Sequence, residues 1–260
     1  MKPSPCARNL GVCFDSSLSF KPFVQKTAAA ATYHIRSLVA IRDHLPRDLV
    51  RRLCASLVIS RIDYCNAVLT GLPKCSLRPL QLALNMAARL IYKAKRSCHV
   101  SPLLKELRWL PIEKRIEEKI LTITFKAHNA FAPSYLAELL RDFTPARALR
   151  SSDFPTLAVP LFKLKTVGDR SFCSAGPRAW NSLPPSLRAG ALACTDATPG
   201  TVSALLRCYL LAAHFDGLSS DFSLLPASTV VRSLRQRADS PRGSMLAIKK
   251  SSPVNGAQSL

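Results

Sequence analysis

The chain has 260 residues, 48% of them hydrophobic, enough to bury one sizeable core or two small ones. Its 37 Lys and Arg against 16 Asp and Glu leave a formal charge of +21, far beyond what solubility needs and unfavourable for a compact state through self-repulsion. Met1 to Phe14 has no continuous apolar core of signal-peptide length, and arginines interrupt the apolar helical runs, as where Arg52 and Arg61 bracket Leu53 to Ser60, so neither secretion nor membrane spanning is expected.

Binding a polyanion would relieve the charge. Nucleic acid is the commonest such partner, because neutralising phosphates releases counterions; an anionic membrane surface and a ribosomal context are the other settings. Nine cysteines, odd in number and scattered without close pairs, argue against a closed disulfide framework and for a reducing compartment, cytoplasmic or nuclear.

Leu10 to Phe20 (LGVCFDSSLSF) alternates apolar with small or polar residues around Asp15, Ser16 and Ser17, which predicts a short hairpin. From Pro22 the period changes: Val24, Ala28, Ala31, Ile35, Leu38 and Val39 recur at helical spacing. Pro46 opens a second helix with Leu49, Val50, Leu53, Leu57 and Val58 on one face, ended by Gly71 and Pro73. A third is expected from Leu77 to Lys95, with Leu80, Leu84, Ala87, Ala88 and Ile91 inward and cations near its carboxy end. Three amphipathic helices with short connections bury their stripes against one another, which predicts a three-helix bundle.

Ser101 and Pro102 start a short helix, and Pro111 a longer one carrying Ile112, Ile116, Ile120, Ile123 and Phe125, with Lys114 and Glu118 spaced to pair. Tyr135 to Leu140 adds a helical turn or two. Leu157 to Val167 reads as an extended run that Pro160 confines to an edge or a bulge, ended by Gly168. Short helices are expected at Ser171 to Asn181, despite Pro177, and at Val202 to Phe215. Beyond Gly217 the chain is rich in Ser, Pro and Arg, has little periodicity and is expected to be disordered. The fold class is therefore mainly α, in four parts: a hairpin over 1–21, the bundle over 22–98, a helical and mixed region over 99–216, and a basic tail over 217–260.

Several stretches resemble non-LTR retrotransposon reverse transcriptases of the chicken-repeat and Rex type, in the region after the polymerase motifs. They are LGVCFDSSLSF (Leu10 to Phe20), SRIDYCNAVLTGLP (Ser60 to Pro73), LNMAARLI (Leu84 to Ile91), SPLLKELRWLPIEKRI (Ser101 to Ile116), FKAHNAFAPSYLAELL (Phe125 to Leu140), LRSSD (Leu149 to Asp153) and GDRSFCSAGPRAWNSLPPSLR (Gly168 to Arg188). They occur in the family's order. The resemblance implies that the hairpin is the edge of a polymerase palm and the three helices a thumb, which in related polymerases holds the template and primer duplex. It also implies what to look for in the chemistry: two adjacent aspartates and a third upstream, holding two metal ions. This chain has no two adjacent aspartates, and the endonuclease that precedes such polymerases does not fit in the nine residues before Leu10. The expectation is a non-catalytic fragment without cofactor or catalytic metal, binding RNA or DNA backbone without sequence preference. A transposon remnant with no selected role and a host-adopted protein-interaction module are the alternatives.

Candidates for backbone contact are Arg51, Arg52, Arg61, Arg89, Lys93, Lys95 and Arg96, chosen on charge and placement alone, since no motif marks them individually. Asp63 reads as a structural ion pair or cap, because a lone acid rarely binds polymerase metals. Cys98 and His99 adjoin without the spacing a zinc site needs. Trp109 and Trp180 read as core anchors more readily than as base-stacking platforms. His34, His44, His128 and His214 have no nucleophile to pair with. Arg232, Arg235, Arg237, Lys249 and Lys250 are too unspecific to mark a nuclear-import signal.

Overall fold

The computed structural model describes residues 6–144, 156–185, 187–188 and 199–215; the tail expected over 217–260 lies outside them. Strands β1 (Cys6–Asn9) and β2 (Val12–Asp15) pair antiparallel, Cys6 opposite Asp15 and Asn9 opposite Val12. The turn is therefore Leu10–Gly11, both at positive φ (45° and 84°), as a two-residue hairpin loop requires. The sequence pattern puts the turn later, at Asp15 to Ser17, but those residues do another job. The Asp15 carboxylate accepts the Ser17 hydroxyl (2.6 Å) and the backbone N–H groups of Ser19 (2.9 Å) and Phe20 (2.8 Å). These bonds, led by the one from Ser17, steer the chain from β2 into the first helix and hold the carboxyl well below the usual carboxylate range.

Helix α1 (Lys21–Ile41) buries Phe23, Val24, Ala28, Ala31, Ile35 and Leu38 at the expected spacing. Val39, expected on the same face, is 55% exposed instead. Helix α2 (Arg47–Cys54) runs through a π-helical stretch, Ala55–Ile59, into α3 (Ser60–Asp63). Among its buried residues, Val50, Cys54, Val58 and Ile62 lie four apart, with Ile59 beside them. An α-helix turns every 3.6 residues, so a stripe at that spacing would drift off the core, and one wider π turn returns it. The helix stops at Asp63, short of the expected Gly71, because Cys65 takes the left-handed conformation (φ 52°) and a 3-10 turn, Asn66–Leu69, follows.

Helix α4 (Lys74–Tyr92) buries Leu77, Leu80, Ala83, Leu84, Ala87, Ala88 and Ile91. It too ends before its expected limit, Lys95, because Lys93 is left-handed (φ 51°) and the Ala94 N–H returns to the Arg89 carbonyl (3.0 Å). A side chain from elsewhere completes the stop: Arg42 donates from Nε to Leu90 O and from Nη2 to Ile91 O, each at 2.9 Å. Together α1, α2–α3 and α4 form the three-helix bundle, with α1 packed most extensively on α4. Alanines from both helices sit in this core, which lets helix axes come close.

Helix α5 (Ser101–Leu107) and the first half of α6 (Ile112–His128) extend the bundle core through Leu104, Leu107, Trp109, Ile112 and Ile116. The second half of α6 faces another core. There Leu121 and Phe125 pack with Trp180 of α9 (Phe172–Asn181) and with Val202, Leu206 and Leu210 of α10 (Pro199–Phe215). Short helices α7 (Ser134–Ala137) and α8 (Lys165–Gly168) lie between. Trp109 and Trp180 are both core residues, 8% and 1% exposed. The extended run expected over Leu157 to Val167 forms one bridge, Leu157 to Asp142, and turns helical at Lys165. The Asn181 amide serves Leu157 as a substitute strand, accepting its N–H (3.0 Å) and donating to its carbonyl (2.8 Å). The described residues are thus mainly helical with one small two-stranded sheet.

Candidate nucleic-acid interface

On the open side of the α1–α4 pair lies a groove of about 540 Å³. Between its charged side chains the lining is mostly apolar, from Ile35, Val39 and the half-buried Met86, Leu90 and Ala94, with the half-buried Thr32 beside them. Cations line it from both helices and from the segment after α4: Arg36, Arg42, Arg89, Lys93 and Arg96, against a single acid, Asp43. Lys93 Nζ contacts Asp43 Oδ1 at 2.6 Å with both side chains more than half exposed. That lysine, first by its hydrogen bond and then by its charge, holds the Asp43 carboxyl below its ordinary range. Arg36 and Arg96 are exposed and make no ion pair among the described residues. Arg89 donates from Nη2 to the Cys98 carbonyl at 3.3 Å, while its Nε is buried without a hydrogen-bond partner.

Of the seven cations selected from sequence, Arg89, Lys93 and Arg96 line this groove. Lys95 is exposed beside it in the turn closed by Cys98 N–H to Lys95 O (3.1 Å). Arg51, half-buried, and Arg52 and Arg61, exposed, stand on α2 and α3 and do not line it. Arg36 and Arg42 do line it, and the sequence reading passed over both. Each sits on or just after a helix whose periodicity showed only its buried face, and the pairing of α1 with α4 is a tertiary fact.

Other cations are occupied inside the fold. Arg115, 6% exposed, donates from Nη1 to both Asp63 carboxylate oxygens (3.1 and 2.8 Å) and from Nε to the Leu110 carbonyl (2.8 Å). Asp63 is thus the structural ion pair that its lone position suggested. Glu118, also buried, takes Arg207 of α10 at 2.9 and 3.3 Å. The i and i+4 pair expected for Lys114 and Glu118 gives way to Lys114 with Glu117 (2.6 Å), because Glu118 faces α10. Arg47 contacts Glu106 at 2.7 Å and stacks its guanidinium 4.0 Å from the Tyr92 ring centre. Burial, aided by the Glu106 carboxylate, pushes the Tyr92 hydroxyl up to about 12.

Arg170, from the GDRSF stretch, reaches partners 100 and 152 residues away in sequence. It donates to Thr70 O (Nε, 3.2 Å) and to Leu18 O (Nη1, 2.9 Å), and lies over the Phe20 ring at 5.4 Å. Gly71 admits it: with φ at 72°, a Cβ there would fall 2.6 Å from Arg170 Cγ.

Among the described residues no group of three or more His, Cys, Asp and Glu side chains is placed to hold a metal ion. No described helix is long and apolar enough to cross a membrane. No protein-family model, curated protein or solved structure matches the chain.

Proposed function

We propose that this chain is a non-catalytic, reverse-transcriptase-like segment of non-LTR retrotransposon type that binds RNA or DNA through the phosphate backbone, without reading bases, at the α1–α4 groove. The observation that carries the reading is the concave surface on which Arg36, Arg89, Lys93 and Arg96 converge against one acid. Phosphate binding needs charges that meet in space, and guanidinium groups suit phosphate geometry. The ordered motifs from Leu10 to Arg188 support the family, and the lack of adjacent aspartates supports a non-catalytic role.

Fluorescence anisotropy with a mixed-sequence RNA oligomer tests it. Binding is expected at low ionic strength, with log K falling linearly as log salt rises. Replacing Arg89, Lys93, Lys95 and Arg96 together by Gln is expected to weaken binding and flatten the salt slope, by about one for each phosphate no longer neutralised. The same change at Arg51, Arg52 and Arg61 is expected to do less. Undetectable binding at low salt, or a slope unchanged by the four-residue variant, rejects the proposal.

A further inference from the structure

We infer that Asp43 is a built-in competitor of the phosphate backbone: it holds Lys93 in the free protein and takes it back as a phosphate leaves, which keeps the grip of the α1–α4 groove reversible. The inference rests on the backbone-binding reading above and adds how that site lets go. Asp43 is the single acid in the groove lining. Among the described residues Lys93 is the one groove cation in an ion pair, and Asp43 is its partner.

The backbone brings the two residues together. Asp43 belongs to the 3-10 turn Arg42–His44. Arg42, its neighbour in the chain, pins that turn to the end of α4 by donating to the Leu90 and Ile91 carbonyls, and closes it by donating from Nη1 to Leu45 O (3.1 Å). Lys93 comes just after those carbonyls, in the left-handed residue whose neighbour Ala94 returns its N–H to Arg89 O. With both backbones held, forming the pair costs mainly the freedom of the lysine side chain. The Asp43 side chain is 81% exposed, and an exposed pair is weak enough to yield. A phosphate chain that also reaches Arg36, Arg89 and Arg96 displaces the carboxylate from Lys93. Long-range attraction follows the net charge of +21, which one acid hardly alters, so Asp43 acts on dissociation.

Anisotropy and stopped-flow dissociation of the mixed-sequence RNA oligomer, on the full chain at fixed salt, test this. Asp43→Asn is expected to bind about three- to fivefold tighter, the equilibrium equivalent of an exposed ion pair near the top of its usual range, with the gain in slower dissociation. Asp48→Asn changes the net charge equally from a position outside the groove lining and is expected to stay within about 1.5-fold of the parent. In a Lys93→Gln background the gain from Asp43→Asn is expected to shrink below about twofold. An Asp43→Asn variant no tighter than the parent overturns the inference and leaves backbone binding standing. So does a gain matched by Asp48→Asn, carried by faster association, or retained in full without Lys93. Undetectable binding at low salt by the parent and Asp43→Asn alike overturns both readings.

Discussion

Two sets of cations divide the molecule. Arg42, which also lines the groove, Arg115, Arg170 and Arg207 are tied to other parts of the fold, where each meets carbonyls or a carboxylate at 2.8–3.3 Å. Arg36, Lys93 and Arg96 stand at an open groove, with Asp43 the one acid among them. The first set joins elements far apart in sequence, and at Arg115, the buried member, removing the carboxylate partner leaves a buried charge. The second set costs the fold self-repulsion and is useful only to something outside it. A net charge of +21 is therefore a poor guide to binding until the internally occupied arginines are separated from the rest.

The sharpest division is expected at Asp63. Asp63→Ala leaves Arg115, 6% exposed, without its counterion and is expected to cost about 3 kcal/mol, measured by urea unfolding, with RNA affinity unaltered. A loss of affinity in a chain of full stability would break the comparison.

Next comes Gly71→Ala, expected to cost about 2 kcal/mol through its positive φ and the crowding of Arg170. In an Arg170→Ala background the crowding disappears and about 1 kcal/mol remains from the backbone. A thermal-unfolding double-mutant cycle with no coupling would dissolve the clasp.

Asp15 extends the contrast to acids, because its partners are the Ser17 hydroxyl and backbone N–H groups. Its folded-state pKa is lowered, so its contribution is fully present above the ordinary value of 3.8 and is lost as pH falls through the lower folded value. Asp15→Asn is expected to remove this acid dependence of the unfolding midpoint. An identical acid profile in the variant contradicts it.

Smallest for stability is Arg36→Gln with Arg96→Gln: within about 0.5 kcal/mol of the parent, yet with weaker RNA binding. A stability loss comparable to that of Asp63→Ala would place these two arginines in the internal set.

Where periodicity decides, the sequence was legible: α1, α6, α9 and α10 lie where spacing put them, and both tryptophans are buried. Helix ends were harder. The sequence cue for a stop is glycine in the left-handed conformation, but Lys93 and Arg108 take that conformation here, held by contacts such as Arg42 on the α4 carbonyls. The hairpin turn misled for the same reason, since Leu10 stands where Asn or Gly would signal it. Half of the groove was legible in the cluster at Arg89, Lys93 and Arg96. The other half, Arg36 and Arg42, depends on α1 meeting α4, for which no local pattern exists. Arg170 is the extreme case, with partners 100 and 152 residues away.

That clasp also sets a clock on synthesis. Leu18 leaves the ribosome 152 residues before Arg170, a wait of roughly 8–30 s at the usual elongation rate of about 5–20 residues per second. Over that interval the first hairpin and the loop at Thr70 lack the side chain that pins them together. A nascent chain halted before Arg170 therefore exposes the Phe20 ring and the Leu18 and Thr70 carbonyls. The junction between the hairpin and α1, at Leu18 and Phe20, is thus tied to the Thr70 loop only after most of the bundle has been made.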